Sequence, residues 1–200
     1  MTDHKGQRGA TAPRRKAAAA AALAVLVLYA AVATAAAGGF VQVLKASTRL
    51  DAGVWYLDAD IAWSPGDEAI EALDSGLTLD IRLTIVLSEQ RRLLWDPKVA
   101  ELEQRYDLRY HALTQRFIVT NLNSGEQSTF GTLQSALRTL GEVRSLPVID
   151  DALLEEGESY DVGLSAELDM EELGGPLKII SFFWNDWRIA SEWERWTLQR

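Results

Sequence analysis

The chain has 200 residues and a mass of 22.1 kDa, enough for one domain with a buried core and a short appendage. It has no cysteine, which excludes disulfides, thiolate metal sites and cysteine nucleophiles. With 20 basic against 29 acidic residues the formal charge is −9, which disfavours nucleic acid as a partner.

The first element is an export signal. Lys5, Arg8, Arg14, Arg15 and Lys16 face only Asp3, so the acidic excess of the remaining chain is larger than that of the whole. Residues 17–37 then carry no charge, and a helix of that length spans about 31 Å, the thickness of a bilayer core. Thirteen of these residues are alanine, and the strongly apolar part is only Leu23 to Val32. Such a short centre suits a secretory signal better than a committed anchor. Ala33-Thr34-Ala35 and Ala35-Ala36-Ala37 offer small-residue exits, with Gly38-Gly39 after them. Residues 1–37 are therefore expected to be a basic head with a helical signal peptide, or a retained signal anchor. Either places residues 40–200 outside the cytoplasmic membrane, periplasmic or tethered to the inner membrane. Lys16 and an alanine run follow Arg14-Arg15, which argues against a twin-arginine signal.

From Gly53 onward the apolar residues recur with period two. Trp55, Leu57, Ala59, Ile61 and Trp63 form one face; Leu77, Leu79, Ile81, Leu83, Ile85 and Leu87 form a longer one. Residues 99–110 repeat the pattern with Leu102, Gln104, Tyr106, Leu108 and Tyr110, and Tyr160 to Leu168 do so again. One apolar and one polar face per strand belongs to antiparallel sheets. Asn123-Ser124-Gly125-Glu126 reads as the turn of a hairpin, and Ala112 to Gln115 as another.

Two short helices interrupt the strands. Ser64 is the expected cap of the first, with Pro65 at its first position, Ala69, Ile70 and Leu73 inward, and Gly76 as its stop. Thr132 caps the second, which buries Leu133, Ala136, Leu137 and Leu140 and ends at Gly141. A further helical turn follows Asp150. The sequence predicts a mainly β fold: an antiparallel, β-sandwich-like domain with two or three short helical insertions, preceded by one N-terminal hydrophobic helix.

Chemistry-bearing residues are few. His111 ends a strand with no serine or second ligand implied beside it, and reads as a turn residue. Asp58 and Asp60 share a strand face, so a hydrolase or a calcium site could use them, yet acids on a polar strand face are usually solvated. The acids from Asp150 to Asp161 read as a solvated edge, and Gly174-Gly175-Pro176 as a turn. No metal and no cofactor is expected.

The C-terminal stretch is aromatic: Phe182, Phe183, Trp184, Trp187, Trp193 and Trp196. If residues 187–198 form one strand, Trp187, Ile189 and Trp193 share a face and Trp196 shares the other with Leu198. On that pattern Trp193 is core, while Trp184 and Trp187 are the best candidates for a contact surface.

Val54-Trp55-Tyr56-Leu57-Asp58-Ala59-Asp60-Ile61, the run from Gln104 to Leu113, Val119-Thr120-Asn121-Leu122-Asn123 and the run from Trp187 to Trp196 resemble an uncharacterised proteobacterial family. Its members are exported domains of unknown function, often encoded near nitrogen-regulation-type sensor kinases. The resemblance covers about 40–198 and implies no catalytic or binding residues. Together these readings predict an exported, non-enzymatic binding or accessory domain with an envelope protein or component as partner. Membrane contact is expected only through the N-terminal segment, if retained. The alternatives are a hydrolase acting near Asp58 and Asp60, and a lipid- or glycan-binding module using the tryptophans.

Overall fold

In the computed structural model the described residues are 38–90, 97–170 and 187–200. The expected signal helix and Trp184 lie outside them. Ten strands are seen among the described residues, all paired antiparallel, in two sheets. β1 (Phe40–Asp51), β2 (Val54–Ser64) and β7 (Glu142–Asp150) make a three-stranded sheet in the order β1-β2-β7. The larger sheet has seven strands. It runs β10 (Glu194–Gln199), β8 (Ser159–Met170), β3 (Thr78–Glu89), β4 (Lys98–His111), β5 (Arg116–Asn121) and β6 (Gln127–Phe130), with β9 (Arg188–Ala190) also on β8.

The period-two faces of the sequence set the core. Leu79, Ile81, Leu83, Ile85 and Leu87 of the central strand are all but fully buried. They face Leu168, Ala166, Leu164 and Val162 across β8, and Leu108 and Tyr106 across β4. Leu57, Ala59 and Ile61 of the small sheet belong to the same apolar cluster, so the two sheets share one core. The opposite face of the large sheet is a lattice of charges. Arg82 lies within ion-pair reach of Asp80, Glu103 and Glu167; Arg105 reaches Asp80 at 2.6 Å; Arg188 also pairs with Glu167. Hydrogen bonding to Asp80 holds the Arg105 guanidinium above its ordinary pKa.

Two strands escaped the alternation. In β1 a bulge between Val43 and Lys45 leaves Leu44 unpaired and 62% exposed, which breaks the period at its middle. β7 carries Pro147 and two irregularities in its pairing with β2. The β1–β2 hairpin turns through Ala52 and Gly53, both at positive φ, as a two-residue turn of this kind requires.

α1 (Asp67–Asp74) starts later than expected: Ser64 is the last residue of β2, and extended Gly66 is the N-cap, without a side-chain bond. A strand that runs on to Ser64 leaves neither it nor Pro65 to the helix. Ala69, Ala72 and Leu73 are buried, whereas Ile70 is exposed, because an eight-residue helix offers one stripe at i, i+3 and i+4. α2 (Leu133–Gly141) follows the expectation closely. Thr132 accepts a hydrogen bond from Ser135 N–H at 3.2 Å, Ala136, Leu137 and Leu140 are buried, and Leu133 is half-buried against the core. The turn after Asp150 is a 3-10 helix, Asp151–Leu153, capped by the Asp150 side chain.

The largest departure lies at the C-terminus. Residues 187–198 are not one strand: β9 and β10 are separated at residues 191–193. Ile189 pairs with Leu168, but Glu194 pairs with Leu164, one residue later than an unbroken strand would. Ser191 fills the step, its N–H donating to Ala166 O and its hydroxyl accepting from Ala166 N–H. One extra residue exchanges the faces of everything beyond it. Trp196 and Leu198 therefore turn inward with Ile189, and Trp193 is outside the core at 43% exposure.

Candidate functional site

Asp58 and Asp60 are held as structural acids. Arg144 and Ser145 bulge opposite Asp58, where the β2–β7 register shifts between Leu57 and Ala59. Ser145 has φ 50°, and its N–H donates to Asp58 Oδ1 at 2.9 Å. Arg49 Nε donates to Asp58 Oδ2 at 3.1 Å, and Arg49 Nη2 to Ser145 Oγ at 2.7 Å. Asp60 pairs with Arg144, which also donates to the carbonyls of Ala59 and Val143. The two carboxylates thus brace a bulge with an arginine each. His111 is exposed in the β4–β5 turn, its Nδ1 2.9 Å from Thr114 Oγ1. Among the described residues no three His, Asp or Glu side chains gather as a metal site.

The Ser145 N–H and Arg49 hold the Asp58 carboxyl below its ordinary value of 3.8, against the opposing effect of desolvation. A depressed folded-state pKa stabilises the fold in full above the ordinary value, and that contribution is lost as pH falls through the depressed one. Asp58→Asn should therefore cost stability at about pH 6 and progressively less towards about pH 2. Urea midpoints of both proteins across that range check this; a gap that stays constant would remove Asp58 as the source.

The aromatic tail is divided between inside and outside. Trp187, one of the two expected contact residues, is half-buried and packs on the core. Trp196 is anchored across the sheets, its indole N–H donating to Thr48 Oγ1 at 3.1 Å. Trp193 lies over Gly163, where a Cβ would sit 3.1 Å from its ring, and Arg195 stacks 5.9 Å from its centroid.

The concave feature is elsewhere, and no sequence signal pointed to it. β5 and β6 form one edge of the large sheet, and β7 forms one edge of the small one. α2 packs against β5, β6 and β7, and a cleft of about 270 Å³ lies among these elements and β4. Val119, Phe130, Leu140, Val143 and Leu146 give it apolar walls, and Tyr106, Asn121, Ser128, Thr139, Glu126, Glu142 and Arg144 make up the polar lining. Burial raises the pKa of the Tyr106 phenol, which therefore stays protonated as a donor.

Residues 41–197 match the family model described as a domain of unknown function, DUF4390. The chain belongs to the DUF4390 family. The match takes in strands of both sheets and every residue that lines the cleft. No curated protein and no solved structure matches the chain. Among the described residues no helix is long and apolar enough to cross a membrane.

Proposed function

We propose that this DUF4390 domain is an exported, sandwich-like binding or accessory module that works through the cleft between its sheets rather than by catalysis. The observation that carries the reading is the cleft among β4, β5, β6, α2 and β7: it is an apolar, partly polar-lined concavity, the usual form of a ligand site. Against the alternative at Asp58 and Asp60 stands the pairing of each carboxylate with an arginine. Export is supported by the basic head and the uncharged residues 17–37. The resemblance of the quoted runs to proteobacterial domains encoded near sensor kinases supports a role beside an envelope signalling system. Trp193, the exposed indole, favours a second reading as a lipid or glycan contact.

Both parts can be tested in cells. A reporter active only in the cytoplasm, fused after Arg200, should stay silent, and one active only outside should report. A photo-crosslinking residue at Ser128 in the cleft should then give a discrete adduct, and one at Thr84, on the charged face of the large sheet, should give none. Equal labelling at both positions would remove the cleft as the working surface.

A further inference from the structure

We infer that the cleft takes an amphipathic organic cation, an apolar stem ending in an ammonium or guanidinium head. This rests on the reading of the cleft as the binding surface and adds the class of its ligand. The apolar walls from Val119, Phe130, Leu140, Val143 and Leu146 suit a hydrocarbon stem. The volume of about 270 Å³ falls just under the ~300–1,000 Å³ of drug-sized pockets, so the occupant is a side-chain-sized group.

Charge selects the head. Glu126 and Glu142 both line the cleft; Glu142 acts on Arg144 only at longer range, since the contact partner of that arginine is Asp60. Arg144, the basic residue of the lining, has Nη1 on the carbonyls of Ala59 and Val143 and Nη2 on Asp60, so its charge is already balanced by the Asp60 carboxylate. The Tyr106 phenol, half-buried and without a hydrogen bond among the described residues, accepts from a cationic N–H as readily as it donates. An acidic chain adds a long-range field of the same sign. A carboxylate or phosphate would meet two carboxylates and one arginine that Asp60 already balances.

The test uses the full chain in zwitterionic nanodiscs with labelled Leu and Val methyl groups, titrated with hexylammonium, hexanoate and hexanol. Hexylammonium should shift the methyls of Val119, Leu140, Val143 and Leu146 and leave those of Leu83 and Val162 in place. The Glu126→Gln/Glu142→Gln variant should weaken that binding about tenfold, with the remaining methyl spectrum unchanged, and added salt should weaken it too. A capped Ala-Lys-Ala peptide that shifts the same methyls more strongly than hexylammonium would identify a lysine side chain of a partner as the source; a weaker response would identify a free amine. Hexanoate or hexanol matching hexylammonium would overturn the cation while leaving the cleft as a binding surface. No response to any of the three would overturn both.

Discussion

Gly141→Ala should destabilise the domain by about 3 kcal/mol, a loss of about 6–12 °C in melting temperature for a chain of this size. Gly141 closes α2 directly over β2, and a Cβ there would collide with the Ile61 carbonyl oxygen. Neither group is a flexible side-chain end, so helix and strand would have to separate, and the separation would open the core beside Ile61 and Leu140. Gly131→Ala is the matched control. Its Cβ would meet only Arg116 Nη1 at 3.9 Å, and the change should stay within about 0.5 kcal/mol. Calorimetry of the two variants side by side decides the point; equal small losses would mean that α2 does not sit where its closeness to β2 places it.

The contact that makes Gly141 indispensable is invisible in sequence, although Gly141 itself was read correctly as the end of a helix. That contrast runs through the fold. The strands centred on Leu57, Leu83, Leu108 and Leu164 were legible because each buries one face against a shared core, and burial of alternate residues writes period two into the chain. β1 and β7 bury their faces only in part, and the bulges at Leu44 and opposite Asp58 shift the period within each strand, so alternation fails as a signal there. The first helix was misplaced by its cap for a local reason: Ser64 and Pro65 make a good start in isolation, but pairing of Ser64 with Phe40 keeps that residue in the sheet.

The candidate site was less legible than the fold. Its lining comes from β4, β5, β6, α2 and β7, elements of two different sheets and a helix that only the tertiary fold brings together. Tyr106 reads simply as an apolar-face position of its strand, Glu126 as part of a hairpin turn, and nothing in the sequence singles out Glu142. Asp58 and Asp60 stood out in sequence as a pair of acids, yet their partners Arg49, Arg144 and Ser145 could be known only from the register of β1 and β7 against β2.

Trp196→Ala should cost about 3 kcal/mol and Trp193→Ala less than about 1 kcal/mol, the reverse of the ranking that an unbroken terminal strand would give. Trp196 packs on the core and spans the sheets through its bond to Thr48, so truncation leaves a cavity and an unpaired hydroxyl together. Trp193 has lost that position to the single residue inserted at Ser191 and keeps only the seat over Gly163 and the stacked Arg195. Gly163→Ala provides the finer measurement. Its new methyl would press on the Trp193 ring, so it should cost a few tenths to about 1 kcal/mol in the wild-type background and nearly nothing once Trp193 is alanine. Urea unfolding of the four proteins in that cycle reads the coupling directly. Independent effects, or a Trp193→Ala loss as large as that of Trp196→Ala, would put Trp193 back on the inner face and remove the one-residue step between β9 and β10.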